Sequence, residues 1–270
     1  MAINDGGVPP ILAQKRYAQP SAFTPENLLR EARRQKRIAR SSIPEICVLD
    51  PDGDILRSLV ARGEARLEPG WACYHTQLYA FSRGGIDLGI VGCAVGASFA
   101  VLIAEEMFAS GCKLLISVTS SGQILPVRPP PYFIVIDRAL RDEGTSYHYV
   151  APSDYSYVDA ELISALDGAF DGFAVPILAG ATWTTDAPFR ETQSAIDAMV
   201  ERNLMAVEME AAALYAFAHA RQKPVLCFAH VTNQMGRVDG DFEKGDADGS
   251  RDALQLITMA AVRLRSRPPL

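Results

Sequence analysis

Acidic side chains cluster at two places where the chain is otherwise apolar or tightly turned. In "VEMEAAALYAFAHA" (207–220), Glu208 and Glu210 flank Met209 at the head of a run of alanines with Leu214, Tyr215 and Phe217. In "LDPDGD" (49–54), Asp50, Asp52 and Asp54 crowd one turn. A carboxylate set against apolar surface is costly unless it is paired or hydrogen-bonded. Both groups are therefore candidates for proton transfer or for gripping hydroxyl groups. Glu208 and Glu210 stand two residues apart, and on a helix such residues face nearly opposite ways. They are not expected to act as an acid/base pair. Asp-Gly-Asp is also ordinary turn and helix-capping chemistry, so these aspartates carry a structural reading beside the chemical one.

Regular elements must position these groups, and the sequence supplies them. "FTPENLLREARRQKRIAR" reads as a helix capped by Thr24, with Pro25 at its first position. Its basic run reads as a solvated face, or as a contact for a phosphate or a partner subunit. Apolar strand patterns at 45–50, 85–93, 113–118, 132–140, 173–184 and 225–233 alternate with helical ones. The helices are expected near 54–63, 98–110, 193–202, 211–220 and 250–265. Continuous apolar strands joined by helices imply an α/β fold, a single-domain three-layer α/β/α sandwich with a mostly parallel, mixed central sheet. Residues 1–44 are expected to form an arm and a helix, and 45–270 the catalytic domain. In such folds the ligand crevice lies beyond the carboxyl ends of the strands. That gathers "DPDGD" (50–54), "GCAVGAS" (92–98), "TSSGQI" (119–124), "WTTDAPFRE" (183–191) and "VTNQMG" (231–236) at one site.

Composition narrows the function classes. Twenty-six basic residues against 32 acidic ones give a net charge of −6, which disfavours nucleic acid as a partner. No apolar run reaches membrane-spanning length, and the start has no signal-peptide pattern, so a cytoplasmic protein is expected. Cys47, Cys73, Cys93, Cys112 and Cys227 form no CxxC pair and read as reduced core residues. The two glycines of "GCAVGAS" are wrongly spaced for a dinucleotide, and His and Cys lack metal-ligand spacing. No cofactor and no metal are expected. "GRVDGDFEKGDADGS" (236–250) reads as a polar loop near the site mouth, a weak match to a calcium loop because the terminal Glu is missing. His148 and His230 read as core histidines.

Over roughly residues 45–265 the chain resembles the nucleoside phosphorylase family, the group of uridine phosphorylase, hexameric purine nucleoside phosphorylase and methylthioadenosine/S-adenosylhomocysteine nucleosidase. "VEMEAAALY", "TDAPFRE", "VGCAVGAS" and "SSGQI" carry the resemblance, and "RDEGTSYHY" (141–149) is similar to the uridine phosphorylase side. The resemblance implies cleavage of the N-glycosidic bond of a nucleoside through an oxocarbenium-like transition state, with phosphate or water attacking. It implies that Glu210 clamps the ribose 2′- and 3′-hydroxyls, that Met209 packs on the sugar, and that Glu208 has a lesser role near the ligand. A carboxylate entering a helix gains from the dipole, and its two oxygens suit two adjacent hydroxyls. Trp183 would lie against the base unless it is a core residue. Arg190 would read a carbonyl edge, with Asp186 bracing it. Ser120, Ser121 and Gly122 would donate on the nucleophile side. A homo-oligomer, dimer or hexamer, is implied too.

Two departures bear on mechanism. Purine-specific relatives carry an Asp at the end of the late strand, and this chain has Asn233, which cannot transfer a proton at neutral pH. That leans the substrate towards a pyrimidine, modestly, because Gln234 stands where uridine phosphorylases have an Arg. The phosphate signature GDPxR appears as "LDPDG" (49–53), and the other two expected arginines fall at Ser117 and near Tyr74 or His75. Holding phosphate beside three carboxylates is electrostatically unfavourable. Either unassigned bases such as Arg57 hold a phosphate co-substrate, or water attacks with Asp54 or Asp52 as base. A non-catalytic nucleoside-binding or scaffold protein is the alternative.

Overall fold

The computed structural model describes residues 7–235 and 239–265. In chain order the first half contains α1 (Pro25–Lys36), β1 (Ile46–Asp50), α2 (Asp54–Ala61), β2 (Ala65–Leu67), β3 (Tyr79–Arg83), β4 (Ile86–Gly92), α3 (Ala97–Ala109) and β5 (Leu114–Gln123). The second half adds β6 (Tyr132–Asp142), β7 (Tyr155–Tyr157), α4 (Ala160–Ala165), β8 (Ile177–Thr185) and α5 (Gln193–Glu201). Then come β9 (Ala206–Glu208), α6 (Ala211–Arg221), β10 (Val225–Asn233) and α7 (Ser250–Leu264). Thr24 caps α1 as its sequence indicates, its hydroxyl accepting from the Asn27 amide.

The centre of the sheet is parallel: β1 pairs with β4 and β5, and β5 with β10. β1 and β10 are buried at every residue, because helices cover both faces. α3 and α6 pack on one face through an alanine-rich surface, and α2, α4 and α7 pack on the other. α1 lies against the end of α3, with Leu29 and Ala32 buried. Antiparallel pairings flank this centre. The β3–β4 hairpin turns on Gly84 and Gly85, both at positive φ, as a tight two-residue turn demands. The sequence shows only the β4 half of that hairpin as a buried apolar run.

Beyond β5 the sheet curls until it meets itself. β5 pairs with β9, β9 with β8, β8 with β6, β6 with β10, and β10 again with β5. Irregular register at Ile136–Arg138 and at Val231–Asn233 supplies the bends that such closure needs. Closure brings the end of β8, the β9–α6 junction and the end of β5 together.

Tyr215 fixes α6 to this circuit. Its hydroxyl donates to Ile136 O at 2.6 Å and accepts from Cys227 N at 3.1 Å, wholly buried. Tyr215→Phe strands a carbonyl and an amide, and is expected to lower unfolding stability by about 2–4 kcal/mol. Urea denaturation of the variant measures it; a loss below about 1 kcal/mol would deny the tyrosine its anchoring role.

Candidate active site

Glu208 is not on a helix. It is the last residue of β9, and Glu210 is the cap residue of α6, so both carboxylates turn into the same buried region. The helical argument for separating them therefore fails; a strand-to-helix turn lies between them. Glu208 accepts from four donors: the Thr182 hydroxyl at 3.1 Å, the Thr184 hydroxyl, and the amides of Glu210 and Ala211 at 2.7 Å each. Thr184 in turn accepts from Ala212 N at 2.9 Å. This carboxylate binds β8 to the amino end of α6 and has no oxygen to offer a ligand.

Glu210 is the member of the pair that faces outward chemically. Its Oε1 accepts from Gly96 N at 2.7 Å, while Oε2 is buried without a partner. Gly96 begins α3 at φ 89° and ψ 149°, a conformation open to glycine, so the second glycine of "GCAVGAS" places an amide on the carboxylate. Burial first, then the charge of Glu208, pushes the Glu210 carboxyl up to about 8. Burial also drives Glu208 upward, against its four hydrogen bonds. With the donors concentrated on Glu208, the proton of the pair resides on Glu210. Met209 is half-buried between them.

The aspartate turn divides its labour. Asp50 is buried, accepts from Gly53 N and Leu56 N, and thereby caps α2; burial pushes it up to about 7. Asp54 is gripped by Arg57 on Oδ1 and by Lys244 Nζ, 2.5 Å from Oδ2. Burial raises its pKa, but those two cations outweigh it and hold the carboxyl below its ordinary range. With both oxygens engaged by cations, Asp54 is a poor base, which corrects the expectation that favoured it. Asp52 Oδ2 accepts from Ser120 N at 2.9 Å. Between Asp52, Asp54, Ser120, His230 and Lys244 lies a cavity of about 20 Å³.

The remaining candidates separate. Ser120 and Gly122 are half-buried on β5, which continues through "TSSGQ" beyond the strand expected at 113–118. Ser121 Oγ is buried without a partner. Asn233 is occupied internally, accepting from Met235 N and donating towards Ser121 O and Thr232 Oγ1. Gln234 is exposed, and its amide donates to Asp241. Trp183 is 3% exposed, packs with Leu140, Ile196 and Leu204, and donates to Asp142 Oδ2, so it is a core residue. A face for stacking on a base is not free there. Arg190 is exposed on a short turn, Pro188–Arg190, and Asp186 accepts from Gly144 N, so the expected Asp186–Arg190 brace is absent. His148 is exposed and meets Lys15 at 2.8 Å, unlike the core histidine expected. His230 is buried and stacked on Phe133 at 4.3 Å. All five cysteines are free, but Cys93 is exposed rather than in the core. Residues 236–238 of the expected polar loop, and 1–6 of the arm, lie outside the described residues.

Sequence reasoning missed Thr182, Thr184, Gly96 and Lys244. The alternation in "ATWTT" is a signal for two hydroxyls on one face of a strand. A single base within the acidic stretch 239–248 is a signal for Lys244.

The mixed α/β sheet, with Glu210 capping a buried helix beside a glycine-led one, defines a nucleoside phosphorylase-like protein. The chain belongs to the phosphorylase superfamily, which it matches over residues 46–263. It is 28% identical over 167 residues to a guanosine phosphorylase of Halorubrum lacusprofundi, covering 62% of this chain and 68% of that protein. It is also 28% identical over 191 residues to a uridine phosphorylase of Thermococcus kodakarensis, covering 64% and 68%. The fold superposes on a crystal structure of uridine phosphorylase from Vibrio fischeri with a TM-score of 0.70, at 18% identity, over 84% of this chain and 93% of that one.

A carboxyl ordinarily titrates near 4.5, and Glu210 in the fold near about 8. Between those values the folded chain holds a proton that the unfolded chain has lost. The stability contributed by the neutral carboxyl is full at low pH and is lost as pH rises through about 8. Asp50, at about 7, adds the same slope. In Glu210→Gln the fall in unfolding free energy between about pH 5 and 8 is expected to be shallower, by a few kcal/mol at most across the window, as urea denaturation at each pH measures. An unchanged slope would remove Glu210 as the proton's holder.

Proposed function

We propose that this protein cleaves the N-glycosidic bond of a nucleoside, with water as the attacking group. The observation that carries the reading is the cavity beside Asp52 and Ser120: at about 20 Å³ it has room for one water molecule. A phosphate dianion there would lie among Asp50, Asp52 and Asp54, with both neighbouring cations already paired to Asp54. The names of the relatives support a nucleoside as substrate.

In this reading Glu210 grips the sugar. With Oε1 accepting from Gly96 N, its unpartnered Oε2 carries the proton and donates to a sugar hydroxyl; once ionised, the group accepts instead and supports the positive charge developing on the ring. Asp52, held by the Ser120 amide through one oxygen, has the other available to take a proton from water. The C1′–N bond breaks with its electron pair on the base, the water oxygen bonds to C1′, and the proton taken by Asp52 returns through solvent to the base. Asn233 has no proton to give and its amide is engaged within the fold, so the base departs as an anion. That favours a pyrimidine. The family resemblance supports a homo-oligomer.

Base release is expected from one or more members of a purine and pyrimidine nucleoside panel without phosphate, giving free sugar. Asp52→Asn is expected to lower kcat about 100-fold and Glu210→Ala about 100- to 1000-fold. Strict dependence on phosphate with a sugar 1-phosphate as product would overturn the reading. Thermal stabilisation by nucleosides without turnover would make the protein a binding module instead.

A further inference from the structure

Residues 239–249, between β10 and α7, place Lys244, Asp248 and Gly249 on the wall of the nucleophile cavity. Among residues 239–249, Lys244 is the one base beside five acids, Asp239, Asp241, Glu243, Asp246 and Asp248. Lys244 donates to Asp54 Oδ2 at 2.5 Å, with the lysine side chain 28% exposed and the aspartate 15%. Such a pair is largely out of water, so it is worth more than a surface ion pair. Burial works against the lysine's charge, but its hydrogen bond to Asp54 and the charges of Asp52, Asp54 and Asp248 outweigh it.

The backbone around Lys244 is pressed onto the same cavity. At Gly249, at φ 75°, a side-chain carbon would come within 2.6 Å of the Lys244 carbonyl and 2.4 Å of His230 Cε1. Glycine there lets the segment approach His230, which burial holds neutral, at about 4, and which is stacked flat on Phe133. Lys244 is thus a fixed wall of the cavity. Arg57, the other cation on Asp54, is 62% exposed and reaches it from outside.

We propose that Lys244 is the specificity-determining residue for the nucleophile: it ties residues 239–249 to Asp54 and leaves space for water while its side chain stands where a larger oxygen nucleophile would lie. The inference rests on the hydrolytic reading above and adds to it the residue that enforces water. Removing the side chain joins the cavity to the space the lysine filled, so a small alcohol can stand where water stood. With methanol as co-reactant, the methanol oxygen bonds to C1′ while the C1′–N pair leaves on the base. The methanol proton passes to Asp52 and then through solvent to the base, giving a methyl glycoside instead of the free sugar.

The test is the ratio of methyl glycoside to free sugar formed from an accepted nucleoside in dilute methanol without phosphate. Wild type is expected to give free sugar almost alone. Lys244→Ala is expected to raise the ratio about tenfold or more, in line with what one cavity-sized group contributes to discrimination. Lys244→Met, which keeps the bulk without the charge, is expected to stay near wild type. Asp54→Asn, which releases the lysine from the other side, is expected to raise the ratio as Lys244→Ala does, and it serves where Lys244→Ala fails to fold. A wild-type ratio in both Lys244→Ala and Asp54→Asn overturns the inference, as does a rise in Lys244→Met equal to that in Lys244→Ala. No phosphate-independent base release from wild type would instead overturn the hydrolytic reading itself.

Discussion

The site is organised around one buried carboxylate whose two oxygens are both engaged within the fold. Glu208 is held by two threonine hydroxyls from β8 and two amides at the start of α6, so a strand, a turn and a helix are fixed to one point. Each hydrogen bond to an ionised acceptor is worth roughly twice a neutral one. Placing the negative charge on Glu208 leaves Glu210, at the next bend of the chain, to carry the proton and the open oxygen. The protonation and the free oxygen of Glu210 are therefore set by its neighbour. Tyr215, just over one turn into the same helix, keeps that arrangement registered against β6 and β10.

A second division of roles occurs at the end of β1. Three aspartates share a turn, and each has a different partner: backbone amides for Asp50, two cations for Asp54, and the Ser120 amide for Asp52. Identical side chains become a cap, a counter-ion and a base candidate through surroundings alone. Like charges this close cannot all remain ionised without help. Arg57 and Lys244 supply that help to Asp54, and burial answers for Asp50 by moving its titration upward.

Much of this was legible in the sequence where contacts are local. The apolar runs gave the central strands, Thr24 and Pro25 gave the start of α1, and "VEMEAAALY" placed Glu210 at the head of a buried helix. What was not legible depends on pairing between distant segments. Closure of β5, β9, β8, β6 and β10 leaves no periodic mark. The partners of Glu208 lie 24 and 26 residues away. Trp183 reads equally as a stacking face or a core residue until Asp142 is found on its indole nitrogen. Lys244 reaches Asp54 across 190 residues from a stretch whose composition suggests only a solvated loop. Reading Glu208 and Glu210 as one helix failed because a strand ends between them.

The hydrogen bond from Ser120 N to Asp52 has a further meaning. Asp52 is an acceptor tethered to the fold, and a tethered group competes at an effective concentration of about millimolar or above. Any free anion seeking the Ser120 amide must displace a rival that never diffuses away. The site thus carries its own resident competitive inhibitor against anionic co-substrates, one that neutral water does not have to dislodge.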